Sequence, residues 1–117
     1  MRERTNPATT TTLGDVAVVA ISGELDLALC VKVAPDLNAV LHSAAKAVVV
    51  DLEDVSLIDS SGIALLLNAF RRLDQDGRRL AIACPRAQRR VFELTALDRQ
   101  LPMYETRSDA LAAVQAG

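Results

Sequence analysis

Asp59, Ser60, Ser61 and Gly62 stand between an apolar run ending at Leu57-Ile58 and a stretch of helical periodicity. A carboxylate and two hydroxyls at such a junction suit two kinds of chemistry. Asp and Ser oxygens accept hydrogen bonds from the orphan N–H groups of a helix's first turn, a structural role worth roughly 1 kcal/mol. The same helix N-terminus carries about half a positive charge and free donors, so it also tolerates a phosphate. A phosphate on Ser60 would add roughly −1.5 to −2 charge, opposed by Asp59 and by nearby Glu53-Asp54. The two effects partly cancel, and the expected product is a folded domain with an altered surface. Residue types alone leave both readings open.

The helix that follows carries Ile63, Leu66, Leu67, Phe70 and Leu73 as its apolar stripe. Leu65, Asn68 and Arg72 are expected opposite that stripe, with Ala64 and Arg71 on the flanks. Leu65 then points outward one turn beyond Ser60, a contact for a partner, although a single exposed Leu is ordinary on any surface. Gly62 permits either close approach of a partner or a tight entry into the helix.

Other chemistries find little to work with. A nucleophilic serine needs a base held against it. The only histidine, His42, lies on an amphipathic stretch beside Leu41 and is expected to face solvent. Ile58 stands where a nucleophile elbow requires its first glycine. There is no Walker A loop and no GxGxxG run for a nucleotide. Cys84, just before Pro85, reads as a small buried apolar residue, and Cys30 is far from it in the chain. One His and two Cys make no zinc site. No catalytic residue, metal or cofactor is expected, so the chain reads as a non-enzyme.

Composition narrows the class further. The 117 residues suit one domain, and 50% apolar with 24% charged residues describes a packed core. A net charge of −2 provides no field for gathering nucleic-acid phosphates. Aromatic residues are only Phe70, Phe92 and Tyr104, leaving few platforms for base stacking. The apolar runs fall short of the roughly 18 residues that insertion into a membrane requires. The charged and polar opening segment lacks an apolar signal core, and two distant thiols suit a reducing compartment, so a cytoplasmic location is expected.

The elements that must position these residues alternate between strand and helix. Residues 1–13 read as a flexible N-terminal segment in which Thr9–Thr12 form a candidate edge strand, and residues 14–117 as the folded domain. After a Gly14-Asp15 turn, Val16–Ile21 is a buried strand ending at Ser22-Gly23. Leu27, Leu29, Val31 and Val33 alternate like a strand, whereas Val33, Leu37, Val40, Leu41 and Ala44 follow helical spacing. Pro35 favours a helix over Ala34–Ser43 that holds the proline in its first turn, with a longer, kinked helix from Leu29 as the alternative. Ala47–Leu52 is a strand, and Val55–Ile58 leads into Asp59. Gly77 stops the next helix, Leu80–Cys84 is a strand, and Pro85 opens a helix carrying Val91, Phe92 and Leu94. Pro102–Tyr104 is a last short strand, and Ser108-Asp109 caps a closing helix with Leu111 and Val114. The pattern implies an α/β fold with a sheet at least partly parallel.

These residues also carry a resemblance. Ile58-Asp59-Ser60-Ser61-Gly62, preceded by Val48–Leu52 and followed by Ile63–Leu67, resembles the signature of STAS domains and, more closely, of bacterial anti-sigma factor antagonists. Gly23-Glu24-Leu25-Asp26 matches a second family motif, and Leu80–Pro85, Arg90-Val91-Phe92 and Leu97 match a third strand-and-helix unit. The resemblance implies a STAS-like single α/β domain, with a mixed, partly parallel sheet and about four helices packed on it. It implies phosphorylation of Ser60 by an anti-sigma factor with a GHKL-type serine kinase fold, which would bind the unphosphorylated form and so release a sigma factor. ATP would belong to that kinase, and a PP2C-type phosphatase would reset the switch. Asp59, Glu24 and Asp26 would lie near the docking face, completed by Ser61, Gly62 and Leu65. Two positions depart from the pattern: Ala96, where the family commonly has Gly, and Val31-Lys32-Val33 early in the first helix. The rival within the same fold is an adaptor subunit of a lipid transporter or stress-signalling complex, whose serine is never phosphorylated.

Overall fold

Three runs rich in Val, Ala, Leu and Ile form the parallel centre of the sheet: β2 (Val16–Leu25), β3 (Ala47–Ile58) and β4 (Arg79–Ala83). Near-continuous apolar character is what strands covered on both faces require. The computed structural model describes residues 7–115. Within it, β1 (Ala8–Leu13) pairs antiparallel with β2, and a short β5 (Met103–Tyr104) adds parallel to β4, giving the order β1-β2-β3-β4-β5. The mixed sheet expected from the sequence is present, and the Thr9–Thr12 run is its edge strand; residues 1–6 of the expected N-terminal segment lie outside the described residues.

Alternation along β3 divides the core. Val48, Val50 and Leu52 face a main core shared with α1 (Leu27–Leu41), α2 (Ser60–Gln75) and α3 (Arg90–Leu94). Ala47 and Val49 face a smaller cluster completed by Ala110 and Val114 of α4 (Arg107–Gln115). Asp51 points to that second face and is buried, but its Oδ2 accepts a 2.7 Å bond from Arg107 Nε, so the carboxylate is paired.

The first helix differs from the expectation of Ala34–Ser43. It begins at Leu27, because Asp26 caps it: the Asp26 Oδ1 accepts the Leu29 N–H at 3.0 Å. Cys30, Val33, Leu37, Val40 and Leu41 are buried at helical spacing straight through Pro35. The proline is tolerated inside because it and Val31, whose carbonyl loses its partner, both lie on the solvent side where water can take the bond.

Both central strands run longer than their apolar cores. β2 continues through Ser22-Gly23 to Leu25, with register shifts at Ala20/Ser22 and Gly23/Glu24 and Gly23 at φ +110°. β3 includes the exposed Glu53-Asp54 and reaches Ile58. Gly77, at φ +71°, ends α2 as expected, with Arg78 N–H bonded to the Leu73 carbonyl and Gly77 N–H to that of Asp74. Pro85 leads into a 3-10 turn at Arg86–Gln88 before α3, held as Gln88 and Arg89 donate to the carbonyls of Val55 and Cys84. The closing helix is capped by Thr106, whose Oγ1 accepts the Asp109 N–H, so Ser108 and Asp109 lie inside the first turn.

Ala96 is the one described non-glycine residue in the left-handed region, at φ 60° and ψ 18°. A Cβ there crowds the following carbonyl. Ala96→Gly is therefore expected to stabilise the domain by about 1 kcal/mol. That corresponds to a thermal midpoint roughly 4 °C higher by calorimetry; an unchanged or lower midpoint would show that the turn is unstrained.

Candidate functional site

Asp26 and Asp59 occupy equivalent places, each closing a parallel strand and capping the helix that follows. The Asp59 backbone is extended, and its Oδ1 accepts the N–H groups of Ser61 at 2.8 Å and Gly62 at 3.2 Å. Structural capping is thus performed by Asp59 rather than by a serine. Ser60 is the first helical residue and is exposed; Ser61 beside it is half-buried.

The two motifs are locked together by an absent side chain. Gly62 is buried, and a Cβ added to it would stand 2.9 Å from both the Leu25 carbonyl oxygen and its Cγ, and 3.0 Å from Ile58 Cγ2. Of its two sequence roles, Gly62 performs the tight helix entry. Asp59 N–H donates to the same Leu25 carbonyl at 3.2 Å. The first turn of α2 therefore rests on the end of β2, which brings Glu24 and Asp26 alongside Asp59 and Ser60. Glu24 is exposed and pairs in register with Leu57.

Leu65 departs from its expected outward position. The buried stripe of α2 is Gly62, Leu66, Ala69 and Leu73, while Ile63, Leu67 and Phe70 are only half-buried. Packing against α1 as well as the sheet rotates the helix, and Leu65 lies half-buried in the groove between α1 and α2. The same groove holds Leu27 and Val31, which sequence reasoning overlooked as site residues. Their signal was Asp26 itself, a strong N-cap type that starts the helix early enough to present both on one face.

Charge converges on this groove. Burial pushes the Cys30 thiol above its ordinary range, and the carboxylates of Asp59 and then Asp26 push it further. Cys84 is fully buried and raised to about 11 chiefly by burial, so it is a protonated thiol at neutral pH. His42 is exposed at the other end of α1, its Nδ1 2.8 Å from the Asn38 carbonyl oxygen, about 24 Å along the helix from Asp26. Among the described residues no cluster of His, Cys, Asp and Glu could hold a metal ion, and no helix is long and apolar enough to cross a membrane.

Residues 7–110 match the family model described as the STAS domain. The chain belongs to the STAS domain family. It is 30% identical over 102 residues to the anti-sigma-F factor antagonist RsfB of Mycobacterium tuberculosis, covering 87% of this chain and 84% of that one. The crystal structure of an anti-sigma factor antagonist from Mycobacterium paratuberculosis superimposes with a TM-score of 0.81 at 31% identity, covering 92% of each chain. A putative anti-sigma factor antagonist from Thermotoga maritima shares the fold at TM-score 0.79 and 24% identity, over 92% of this chain and 94% of that one.

In this STAS domain the seating of α2 on β2 has a measurable signature. An exposed helical Gly→Ala gains roughly 1 kcal/mol from propensity. At Gly62 the clash is with backbone, which cannot step aside cheaply. Gly62→Ala is expected to lose about 1–2 kcal/mol net in urea unfolding, whereas a gain would mean that the close approach is not required.

Proposed function

We propose that this STAS domain is an anti-sigma factor antagonist switched by phosphorylation of Ser60. The observation that carries the reading is the division of labour at the α2 N-terminus. Asp59 satisfies the first-turn donors, which leaves the exposed Ser60 hydroxyl free for modification without loss of the cap. The names of the Mycobacterium relatives support the antagonist part of this reading.

In the proposed cycle the unphosphorylated form binds an anti-sigma factor of GHKL-type serine kinase fold, and the sigma factor held by that protein is released. The kinase transfers the γ-phosphoryl group of its own ATP to Ser60 Oγ; the hydroxyl proton passes to a base of the kinase, and ADP leaves. This chain is the substrate of that step and supplies no catalytic group. The phosphate then sits beside Asp59, Asp26 and Glu24, and its added charge and bulk drive the partner off. A PP2C-type phosphatase restores the serine. Ser61 and Leu65 contribute contacts beside Ser60, while Gly62 acts by fixing where Ser60 stands. The cycle is cytoplasmic.

Intact-mass spectrometry after incubation with ATP and each GHKL-fold kinase of the same genome tests the modification. One added phosphate, absent in Ser60→Ala, is expected; no phosphate from any kinase would favour the adaptor role. Binding tests the sign of the switch. Ser60→Asp is expected to weaken the complex by ~10- to 100-fold through like-charge repulsion, and Ser60→Ala to bind irrespective of ATP. Tighter binding of the phosphorylated form would reverse the proposal.

A further inference from the structure

The outer edge of the sheet, at β1, is open. Ser22 N–H donates to the Pro7 carbonyl at 3.0 Å, and the β1–β2 register then runs unbroken from Ala8–Ile21 to Leu13–Val16. Antiparallel ladders alternate, so Thr9, Thr11 and Leu13 turn their backbone groups to β2 while Ala8, Thr10 and Thr12 turn theirs outward. Edges of this kind are ordinarily blunted by a charge, a proline, a bulge or brevity. The Ala-Thr-Thr-Thr-Thr-Leu run has no charge and no proline, and its register has no bulge. The opposite edge is guarded, since β5 has two residues and follows Pro102. Beside β1, Thr10 and Thr12 line a trough of about 480 Å³ against Asp36, Ala39 and Ser43 of α1. Leu13, at the end of the strand, is 43% exposed.

We propose that β1 pairs antiparallel with β1 of a second copy, about a two-fold axis at Thr10, to join two five-stranded sheets into one. The strand is complementary to itself in this register. Ala8 faces Thr12 of the other copy, Thr10 faces its own counterpart, and each of these pairs exchanges two backbone hydrogen bonds. Thr9 faces Thr11 between them, and Thr–Thr pairs across strands are favourable. Leu13 packs on Pro7 of the other copy. Backbone groups at both of those positions point to β2, so the proline's missing N–H costs no bond at the seam. The helices leave room. Among the strands α1 packs chiefly on β2, so two copies of it stand about 14 Å apart across the seam, wider than a helix. Charge also fits, because the trough carries two carboxylates, Asp15 and Asp36, and no Lys or Arg. The antiparallel register brings the other copy's chain in past Leu13 at this end of the trough, and the residues before its Pro7 carry Arg2 and Arg4 against Glu3 alone. The guarded far edges close the assembly at two copies. Seven residues make an edge of only about 24 Å, smaller than a standard interface, so the dimer is weak and concentration-dependent. Antiparallel pairing sets the two Ser60 residues at opposite ends of the joint sheet, and the proposal stands independently of the antagonist reading.

Sedimentation velocity from micromolar to millimolar protein tests the pairing, with Thr10→Pro as the variant. Proline there removes an outward N–H and leaves the β1–β2 ladder intact. The wild-type protein is expected to pass from monomer to dimer with concentration, and Thr10→Pro to stay monomeric with its thermal midpoint unchanged. Thr10→Lys sets two like charges opposite each other and replaces the proline variant if that one unfolds. Disulfide capture reads the register. Thr10→Cys is expected to cross-link two copies under mild oxidation, as Cα atoms about 5.5 Å apart allow. Thr12→Cys, which faces Ala8, is expected not to. Cys30 and Cys84 are buried and do not compete. A wild-type monomer at every concentration would overturn the proposal. So would a dimer that Thr10→Pro or Thr10→Lys leaves intact, or a cross-link through Thr12→Cys in place of Thr10→Cys. A monomer whose binding to an anti-sigma factor is lost in Thr10→Pro would assign the edge to a strand of that partner instead.

Discussion

The first turn of α2 meets the end of β2 at a distance that only glycine allows, and most of the candidate surface follows from that contact. With no Cβ at Gly62, the Leu25 carbonyl can approach the helix backbone and accept the Asp59 N–H. Leu25 and Ile58, paired in register on adjacent parallel strands, are both buried beneath the junction. Two helix N-termini then stand side by side at the C-terminal ends of the neighbouring strands β2 and β3, each closed by an aspartate. Glu24-Leu25-Asp26 and Asp59-Ser60-Ser61 become a single surface although they are distant in the chain. A larger residue at position 62 would separate them.

Electrostatics decides what a phosphate does on such a surface. The α2 N-terminus favours an added anion by about 0.3–1 kcal/mol when exposed. Neighbouring carboxylates oppose it by a similar amount, since unit charges 4 Å apart in water repel by about 1 kcal/mol. Inside the fold the two nearly cancel, and the Asp59 cap keeps its bonds to Ser61 and Gly62. A docked partner shields the same charges from water, where repulsion grows severalfold. A phosphate on Ser60 would thus be nearly neutral for folding and costly for association.

The central strands were legible because buried parallel strands read as unbroken apolar runs, and Val48–Val50 and Leu80–Ile82 have no other reading. Their ends were not. Glu53-Asp54 looks like a connection because charge marks exposure, yet a strand end projecting past the packed core is exposed too. Pro35 reads as a boundary, while the cap that begins α1 is Asp26. The cap at Asp59 was readable from the Asp-Ser-Ser-Gly run, and that run together with the family resemblance makes Ser60 the proposed site. The half-buried setting of Leu65 and the groove beside it were not readable, since an apolar stripe read from one helix cannot register the second helix packed beside it. Ala96 departs from the family pattern, and its left-handed backbone is the physical counterpart.

On the proposed function, phosphate on Ser60 alters a surface that the Gly62–Leu25 contact holds in place, without remodelling the fold. Backbone amide NMR spectra of the phosphorylated and unphosphorylated protein test it most directly. Shifts confined to residues 24–30 and 58–65, with amide exchange protection unchanged in β2, β3 and β4, are the predicted result. Shifts spread through the sheet, or loss of protection in α2, would show instead that the phosphate acts by unfolding the junction.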